Sequence, residues 1–188
     1  GTVTAGNSSP LTDGAAAVVV TTPERARDLP GKPVRVLGFG QASDSLSLFR
    51  RADMTSLIAA RKASKHAYQM AGIQPQDVSF CEVHDCFTIA EIIAVEDLGF
   101  FGRGEGGPAT LEGRTALTGH IPVNPSGGLK GKGHPVGATG VSQIVESVFQ
   151  LRGTAGERQV DSPRIGLTHN VGGSGATCVV TVLGRDGG

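Results

Sequence analysis

Three short clusters of polar side chains contain the residue types that move protons or stabilise negative charge. They are His84–Phe87, Asn124–Gly140 and His169–Gly175. Each cluster falls where a predicted strand or loop meets the next element. Open α/β folds bind ligands at such junctions, outside the ends of the strands. The positions of the clusters therefore indicate one site assembled from distant segments.

The first cluster combines an imidazole with a thiol. Alternate side chains of an extended segment share a face, so His84 and Cys86 are predicted to share a pocket, while Cys81 and Asp85 point the other way. A histidine can donate a hydrogen bond to an oxyanion, and a thiol of suitable pKa can carry a proton to or from carbon. The pair suits acyl or enolate chemistry, and an ordinary strand-to-helix junction remains the alternative.

The same cluster contains the zinc-ligand types Cys81, His84 and Cys86. A structural zinc site normally has four ligands, and strand alternation turns Cys81 away from the other two. We therefore expect no metal site.

The second cluster is rich in glycine and runs directly into a predicted helix, so its backbone amides can approach an anion or an oxyanion. The spacing of Gly128 and Gly133 matches a nucleotide-binding P-loop, but His134 and Pro135 stand where that motif requires Lys and Ser or Thr. A nucleotide site is therefore rejected. The flanking Gly133 and Pro135 restrict His134, as an activating or oxyanion-binding imidazole requires, and a structural loop histidine is the alternative.

The third cluster places His169 and Asn170 at a strand end, before a turn at Gly172–Gly175 that glycine makes easily. By itself it is also compatible with a simple hairpin.

The periodicity predicts an α/β domain over residues 1–188, with elements in the order β-β-α-β-α-loop-α-β-β. The strands are Ala15–Thr21, Val34–Phe39, Val78–Val83, Arg164–Thr168 and Thr177–Leu183; the helices are Ala52–Ala71, Thr88–Leu98 and Val141–Leu151. The order predicts a mixed five-stranded sheet covered by helices on both faces. The long loop Gly99–Gly140 is expected to be functional.

The composition excludes several classes of function. The 17 Lys and Arg residues balance 17 Asp and Glu residues without blocks of one sign, so a nucleic-acid partner is not expected. No apolar run approaches the roughly 20 residues of a membrane helix. The three cysteines are too few for a disulfide framework, which predicts a reducing, cytoplasmic setting. A first residue other than Met suggests a processed product, a trimmed chain or a separately encoded half.

Four ordered motifs, which span nearly the whole chain, resemble the thiolase superfamily. They are SPLTDGAAAVVV at Ser9–Val20, HDCF at His84–Phe87, NPSGGLKGKGHPVGATG at Asn124–Gly140 and HNVGGSGA at His169–Ala176. HDCF in place of Asn-Glu-Ala-Phe resembles the sterol-carrier-protein-type and archaeal acetyl-CoA C-acetyltransferase branch. The resemblance implies two similar halves packed as a five-layer α-β-α-β-α sandwich. This chain resembles only the second half, and the nucleophilic cysteine belongs to the first.

The resemblance also implies roles for individual residues. His134 would activate the nucleophile and help to bind a thioester oxygen, and His84 would contribute to the second oxyanion site. Cys86 would be the proton-transferring thiol.

The final loop departs from the common family pattern. Common thiolases have Cys-x-Gly there, whereas this chain reads His169-Asn170-Val171-Gly172. The resemblance then implies that the acid/base thiol has moved to Cys86. His169, Asn170 and Gly172, together with Gly133, are expected to bind the substrate.

The implied reaction is a Claisen condensation or the thiolysis of a 3-ketoacyl-CoA, with acetoacetyl-CoA as the expected substrate. Coenzyme A thioesters are then substrates, and no bound cofactor is expected. The expected partners are an N-terminal half or second subunit, in a homo- or hetero-oligomer, and a small OB-fold/zinc-ribbon protein. The chain alone should be inactive. The alternatives are a thiolase-like aldolase subunit and a non-catalytic half that binds acyl-CoA or acts as a scaffold.

Overall fold

A four-stranded mixed sheet organises the computed structural model, which describes residues 2–185. The strands are β1 (Val34–Ser43), β2 (Phe80–Glu82), β3 (Ile165–Gly172) and β4 (Thr177–Arg185), in the spatial order β1-β4-β3-β2. β4 pairs antiparallel with β1 and β3, and β2 runs parallel to β3. The mixed sheet and the hairpin between β3 and β4 are as predicted.

The helices cover both faces of this sheet. They are α1 (Pro23–Ala26), α2 (Ile58–Ala71), α3 (Thr88–Asp97), α4 (Gly106–Leu111), α5 (Gly128–Lys132) and α6 (Thr139–Arg152), with short 3-10 helices at Ala5–Asn7, Leu48–Arg50, Pro75–Asp77 and Gly156–Arg158. α2 packs against β1 and β4, and α6 packs mainly against β3. Along β4 the side chains alternate, so Val182 belongs to the core under α2, whereas Leu183 packs with Leu151 of α6 on the opposite face.

Small residues let α2 lie unusually close to the sheet. Ala63 and Ala67 face β1 and are fully buried. A Cβ atom at Gly40 of β1 would overlap the backbone carbonyl of Ala63. The helix ends where the sequence predicts, at Gly72, whose positive φ of 69° lets its amide donate back into the last turn.

The start of α2 differs from the prediction of Ala52. The carboxylate of Asp53 accepts hydrogen bonds from the amide and hydroxyl of Thr55, and such local bonds compete with helix formation. The helix begins only at Ile58. The two residues before it, Ser56 and Leu57, donate hydrogen bonds to the carboxylate of Asp97.

The prediction of a fifth strand at Ala15–Thr21 is wrong. These residues form no strand, and Val19 and Val20 are 86% and 84% exposed. β-branched residues favour an extended chain, but a strand also needs a partner edge, and residues 15–21 pair with none in the described part of the chain. Beside β2, Val123 forms a single parallel bridge with Cys81. The loop predicted over Gly99–Gly140 also contains two short helices, α4 and α5.

Within residues 2–185, no helix has both the length and the apolar character that a membrane crossing requires.

Candidate active site

Two histidines from distant segments meet at the end of β2. His84 lies between β2 and α3, and His134 lies between α5 and α6. Their rings are almost perpendicular, at 87°, with centroids 4.9 Å apart. The first two polar clusters of the sequence therefore come together in space.

His84 is held in its neutral form. Its side chain is buried, and Nδ1 has no hydrogen-bond partner within residues 2–185. Burial, with a smaller contribution from the neighbouring His134, lowers the pKa of His84 to about 4, although Asn170 opposes the shift as a hydrogen-bonding neighbour. At neutral pH the ring is therefore an uncharged imidazole, which can donate a hydrogen bond from one nitrogen.

His134 is oriented by the first residue of α6. Its Nδ1 lies 2.7 Å from Oγ1 of Thr139, and the Thr139 hydroxyl donates to the carbonyl of Pro135 across 3.1 Å. Because the hydroxyl has one proton, this arrangement leaves Nδ1 as the donor and Nε2 with the free lone pair. Partial burial lowers the pKa of His134 below its usual value, while the charge of Asp85 acts in the opposite direction. A neutral imidazole with a free Nε2 is suited to act as a general base.

Cys86 follows His84 on the same segment and is half-buried. Burial raises the pKa of its thiol above the ordinary value, so the group is protonated at neutral pH. Cys81, by contrast, is fully buried in the core under α2. Among the described residues, no group of three or more His, Cys, Asp or Glu side chains is arranged to hold a metal ion.

The third cluster lies beside the first. His169 on β3 is almost completely buried, and neither ring nitrogen has a hydrogen-bond partner in the described chain. Burial lowers the pKa of His169 to about 3, and His84 contributes to the same shift. Asn170 donates a hydrogen bond to Gln143 of α6. His169 and Asn170 are thus both neighbours of His84, and all three clusters converge.

The two glycines predicted at the substrate pocket differ in their surroundings. Gly133 has a φ of 96° and is packed so tightly that a Cβ atom would meet the side chain of Thr12. It brings the backbone before His134 close to the N-terminal segment. Gly172 pairs with Thr177 at the end of the β3–β4 hairpin, with open space where a Cβ atom would lie.

Buried polar side chains that the sequence did not single out hold the second cluster against β2. Glu82 is fully buried and accepts hydrogen bonds from the amide and hydroxyl of Ser126 at 3.0 and 2.6 Å. The Nζ of Lys132 lies 3.6 Å from the same carboxylate. Burial raises the pKa of Glu82, and Lys132 and Ser126 act against that shift. The sequence did contain a signal for this contact, because a charged residue such as Glu82 in a short buried strand normally requires a partner.

Two further contacts continue this attachment. Oδ1 of Asn124 accepts a hydrogen bond from the amide of Val83, and its Nδ2 donates to Glu91 of α3, both across 2.8 Å. The carboxylate of Asp85 accepts hydrogen bonds from the amides of Leu129 and Lys130 in α5. The loop therefore contacts each part of the segment that holds His84.

An open groove of about 460 Å³ lies beside the segment that directly follows His134. Residues 12–16 form one wall, and residues 135–138, directly after His134, form the other. The N-terminal segment also contacts both motifs, since Ser8 bridges to Phe87 and Leu11 bridges to His134. The groove is therefore a candidate path for an extended substrate.

Comparisons with known proteins agree with this arrangement. The family described as "Thiolase C-terminal domain-like" matches residues 40–185. The acetyl-CoA acetyltransferase of Methanothermobacter thermautotrophicus is 51% identical over 94% of this chain and 46% of its own length. Sterol carrier protein 2 of Rattus norvegicus is 38% identical over 90% of this chain and 32% of its own length.

A solved structure of an aldolase, named "Ltp2-ChsH2(DUF35) aldolase", superposes with a TM-score of 0.78 at 28% identity, covering 87% of this chain and 42% of that one. The chain thus spans between about a third and a half of the relatives it matches. The family match begins within β1, includes β2, β3 and β4, and contains all three polar clusters. This chain belongs to the thiolase C-terminal domain-like family.

Proposed function

We propose that the chain is the C-terminal part of an acyl-CoA C-acyltransferase that cleaves or forms 3-ketoacyl-CoA, with acetoacetyl-CoA as substrate. The observation that supports this most directly is the contact between His84 and His134, with ring centroids 4.9 Å apart. It places an imidazole suited to act as a base next to an imidazole suited to donate a hydrogen bond, with the Cys86 thiol on the same segment.

In this proposal His134 serves the acyl-transfer step. Its free Nε2 accepts the proton of a nucleophilic cysteine that another part of the enzyme supplies. The resulting thiolate attacks the C3 carbonyl of the 3-ketoacyl-CoA. The hydrogen bond between Nδ1 and Thr139 fixes the tautomer that this step needs.

His84 and Cys86 serve the cleavage of the carbon–carbon bond. As the C2–C3 bond breaks, its electron pair forms the enolate of the departing acetyl-CoA, and a hydrogen bond from His84 stabilises the enolate oxygen. Cys86, which its raised pKa keeps protonated at neutral pH, gives its proton to the enolate carbon in the thiolysis direction. The thiol of free coenzyme A then gives its proton to the Cys86 thiolate and attacks the acyl-enzyme, and the released nucleophile takes its proton back from His134. In the condensation direction the same steps run in reverse.

Asn170, His169, Gly133 and Gly172 are proposed to bind substrate, with coenzyme A thioesters as substrates and no resident cofactor. Asn170 has the strongest support, because it neighbours His84 and lies close to the start of α6. The groove beside residues 135–138 supports an extended pantetheine chain as the ligand. Gly172 has the weakest support, because it lies at the hairpin end.

The proposed partner is an N-terminal half that carries the nucleophile, as part of the same polypeptide or as a second subunit, in a homo- or hetero-oligomer. The exposed apolar side chains Leu11, Val19 and Val20 support such a partner. A small OB-fold/zinc-ribbon protein is a further proposed partner, supported by the second component that the name of the superposed aldolase includes. Three free cysteines support the cytoplasm as the location.

The proposal is tested by acetoacetyl-CoA thiolysis. The assay is run with the chain alone and with any polypeptide that co-purifies, and intact mass identifies both. We expect activity only with the nucleophile-bearing part. His134→Ala should then abolish acylation of the nucleophile, measured by mass, whereas His66→Ala, at an exposed position on α2, should retain it. An assembly that contains both parts but never becomes acylated by acetoacetyl-CoA would refute the proposal.

An aldolase is the second candidate, since the superposed structure is that of an aldolase. A retro-aldol cleavage releases a free aldehyde or ketone, needs no coenzyme A as second substrate and forms no acyl-enzyme. Product analysis with and without added coenzyme A separates the two reactions.

A further inference from the structure

We propose that Asp85 is a positioning residue, which fixes His134 against His84 by holding α5 in place. The catalytic consequence of this inference rests on the proposed function, whereas the contact between Asp85 and α5 is independent of it. Nothing in the family match assigns this carboxylate a role.

Asp85 is directed away from solvent and into the backbone of α5. Its side chain is buried, with Oδ1 accepting from the amide of Leu129 at 2.7 Å and Oδ2 from the amide of Lys130 at 3.3 Å. These amides lie in the first turn of α5, where a helix has no acceptors of its own. The two bonds join segments 44 and 45 residues apart in the chain.

The backbone of Gly128 packs directly against the carboxylate of Asp85. A Cβ atom there would overlap the carboxylate of Asp85, and the residue has a φ of 63°, which L side chains rarely adopt. The fit between Asp85 and Gly128 therefore requires the absence of a side chain at position 128.

The chain on either side of this contact leads directly to the histidines. Asp85 follows His84. α5 ends at Lys132, the amide of the next residue, Gly133, donates to the carbonyl of Leu129, and His134 comes after it. Asp85, α5 and the two histidines thus form a closed loop of contacts, completed by the ring contact between His84 and His134. Glu82 contacts α5 through the Nζ of Lys132 at 3.6 Å, and Asn124 binds Val83 and Glu91, so neither accepts from the amides of Leu129 and Lys130 as Asp85 does.

Asp85→Asn is the sharpest test because it preserves shape. The amide keeps one acceptor oxygen but turns an NH₂ group towards a backbone N–H, so one of the two bonds is lost. Gly128→Ala is the second variant, which keeps the carboxylate but displaces it. Asp97→Asn is the matched control: Asp97 also accepts a backbone N–H and a hydroxyl, but it does so at the start of α2.

Each variant is measured in the full chain by ¹⁵N-histidine NMR and, assembled with the nucleophile-bearing part, by steady-state thiolysis. We expect Asp85→Asn and Gly128→Ala to shift the ring signals of His134 and His84 and to lower kcat about 100-fold with KM within about threefold, since a misplacement near 1 Å has an effect of that size. Asp97→Asn should lower Tm without either effect.

The role of Asp85 is refuted if the histidine signals of Asp85→Asn match those of the unaltered chain. It is also refuted if Asp97→Asn and Asp85→Asn lower Tm equally and lower kcat equally. An inactive unaltered assembly would refute the proposed function instead. The histidine signals would still decide the role of Asp85 in that case.

Discussion

Asn170 on β3 donates a hydrogen bond to Oε1 of Gln143 across 3.1 Å, and Nε2 of the same glutamine donates to the carbonyl of His169 across 3.2 Å. Gln143 is fully buried in α6. This single side chain therefore connects the helix that begins after His134 with the strand that holds Asn170. The orientation of Asn170 beside His84 depends on it.

We expect Gln143→Leu to lower both stability and activity. The change removes both hydrogen bonds while nearly preserving volume, so the amide of Asn170 and the carbonyl of His169 each lose their partner on α6. Loss of buried partners should lower the free energy of unfolding by about 2 kcal/mol. Urea denaturation measures this effect, and thiolysis by the assembled enzyme measures the accompanying fall in kcat.

Gln150→Leu is the matched control, because Gln150 is an equally buried glutamine of the same helix. It hydrogen-bonds Arg158 and Val160, which are outside the site. A similar loss of stability with kcat retained is expected there. Equal kcat losses in both variants would contradict a specific role for Gln143.

Cys86→Ser should separate the two halves of the reaction. The serine hydroxyl is a much weaker acid than the thiol, so it does not form the anion that must remove the C2 proton of acetyl-CoA in condensation, while His134 still activates the nucleophile. We expect carbon–carbon bond formation to be lost, with acyl transfer to the nucleophile still detectable by intact mass. Cys178→Ser, in the buried core, serves as the control variant. Full condensation activity in Cys86→Ser would remove this thiol from the mechanism.

The sequence predicts local elements well where the pattern itself determines them. The strand predicted at Thr177–Leu183 and the helix end predicted at Ala71 follow from neighbours in the chain, and both are present in the structure. The strand predicted at Ala15–Thr21 is absent because strand propensity does not identify a partner edge. A run of β-branched residues looks the same whether or not such an edge exists.

The candidate site was likewise predictable in part from the sequence. Histidines and glycines mark the clusters, and His84 and His134 do come together. The sequence does not reveal that Glu82 and Asp85 hold the clusters in place, because both carboxylates bind backbone amides of distant residues. Asp85 and Leu129 are 44 residues apart, and any residue type supplies an amide. Only the fold reveals such contacts.

Gly40→Ala should be strongly destabilising. The added Cβ atom would overlap the carbonyl of Ala63, so α2 must move away from β1. Overpacking of this kind should lower the free energy of unfolding by about 3 kcal/mol, measured by denaturant titration. Gly131→Ala is the control, since no atom lies within 4 Å of its Cβ position, and it should be neutral or stabilising. Similar stabilities for the two variants would contradict the close packing of α2.

The buried histidines should make the fold sensitive to mild acid. In the folded chain the pKa of His84 is about 4 and that of His169 about 3, whereas an unfolded histidine titrates near its ordinary value of 6.5. Between these values the unfolded chain binds more protons than the folded chain. The stability associated with neutral rings is therefore complete above about pH 6.5 and is lost as the pH falls towards 4 and then 3.

His169→Phe isolates this effect, because phenylalanine fills the site without titrating. Denaturant titrations at several pH values between 7 and 4 should give a smaller acid loss for His169→Phe than for the unaltered chain. Carboxyls with raised pKa values, such as Glu82 and Glu91, titrate in both proteins, so the comparison cancels their opposite contribution. His66→Gln, at an exposed position on α2, should leave the acid loss as it is in the unaltered chain. An identical pH dependence of the unaltered chain and His169→Phe would mean that His169 is charged, or accessible to protons, in the folded state.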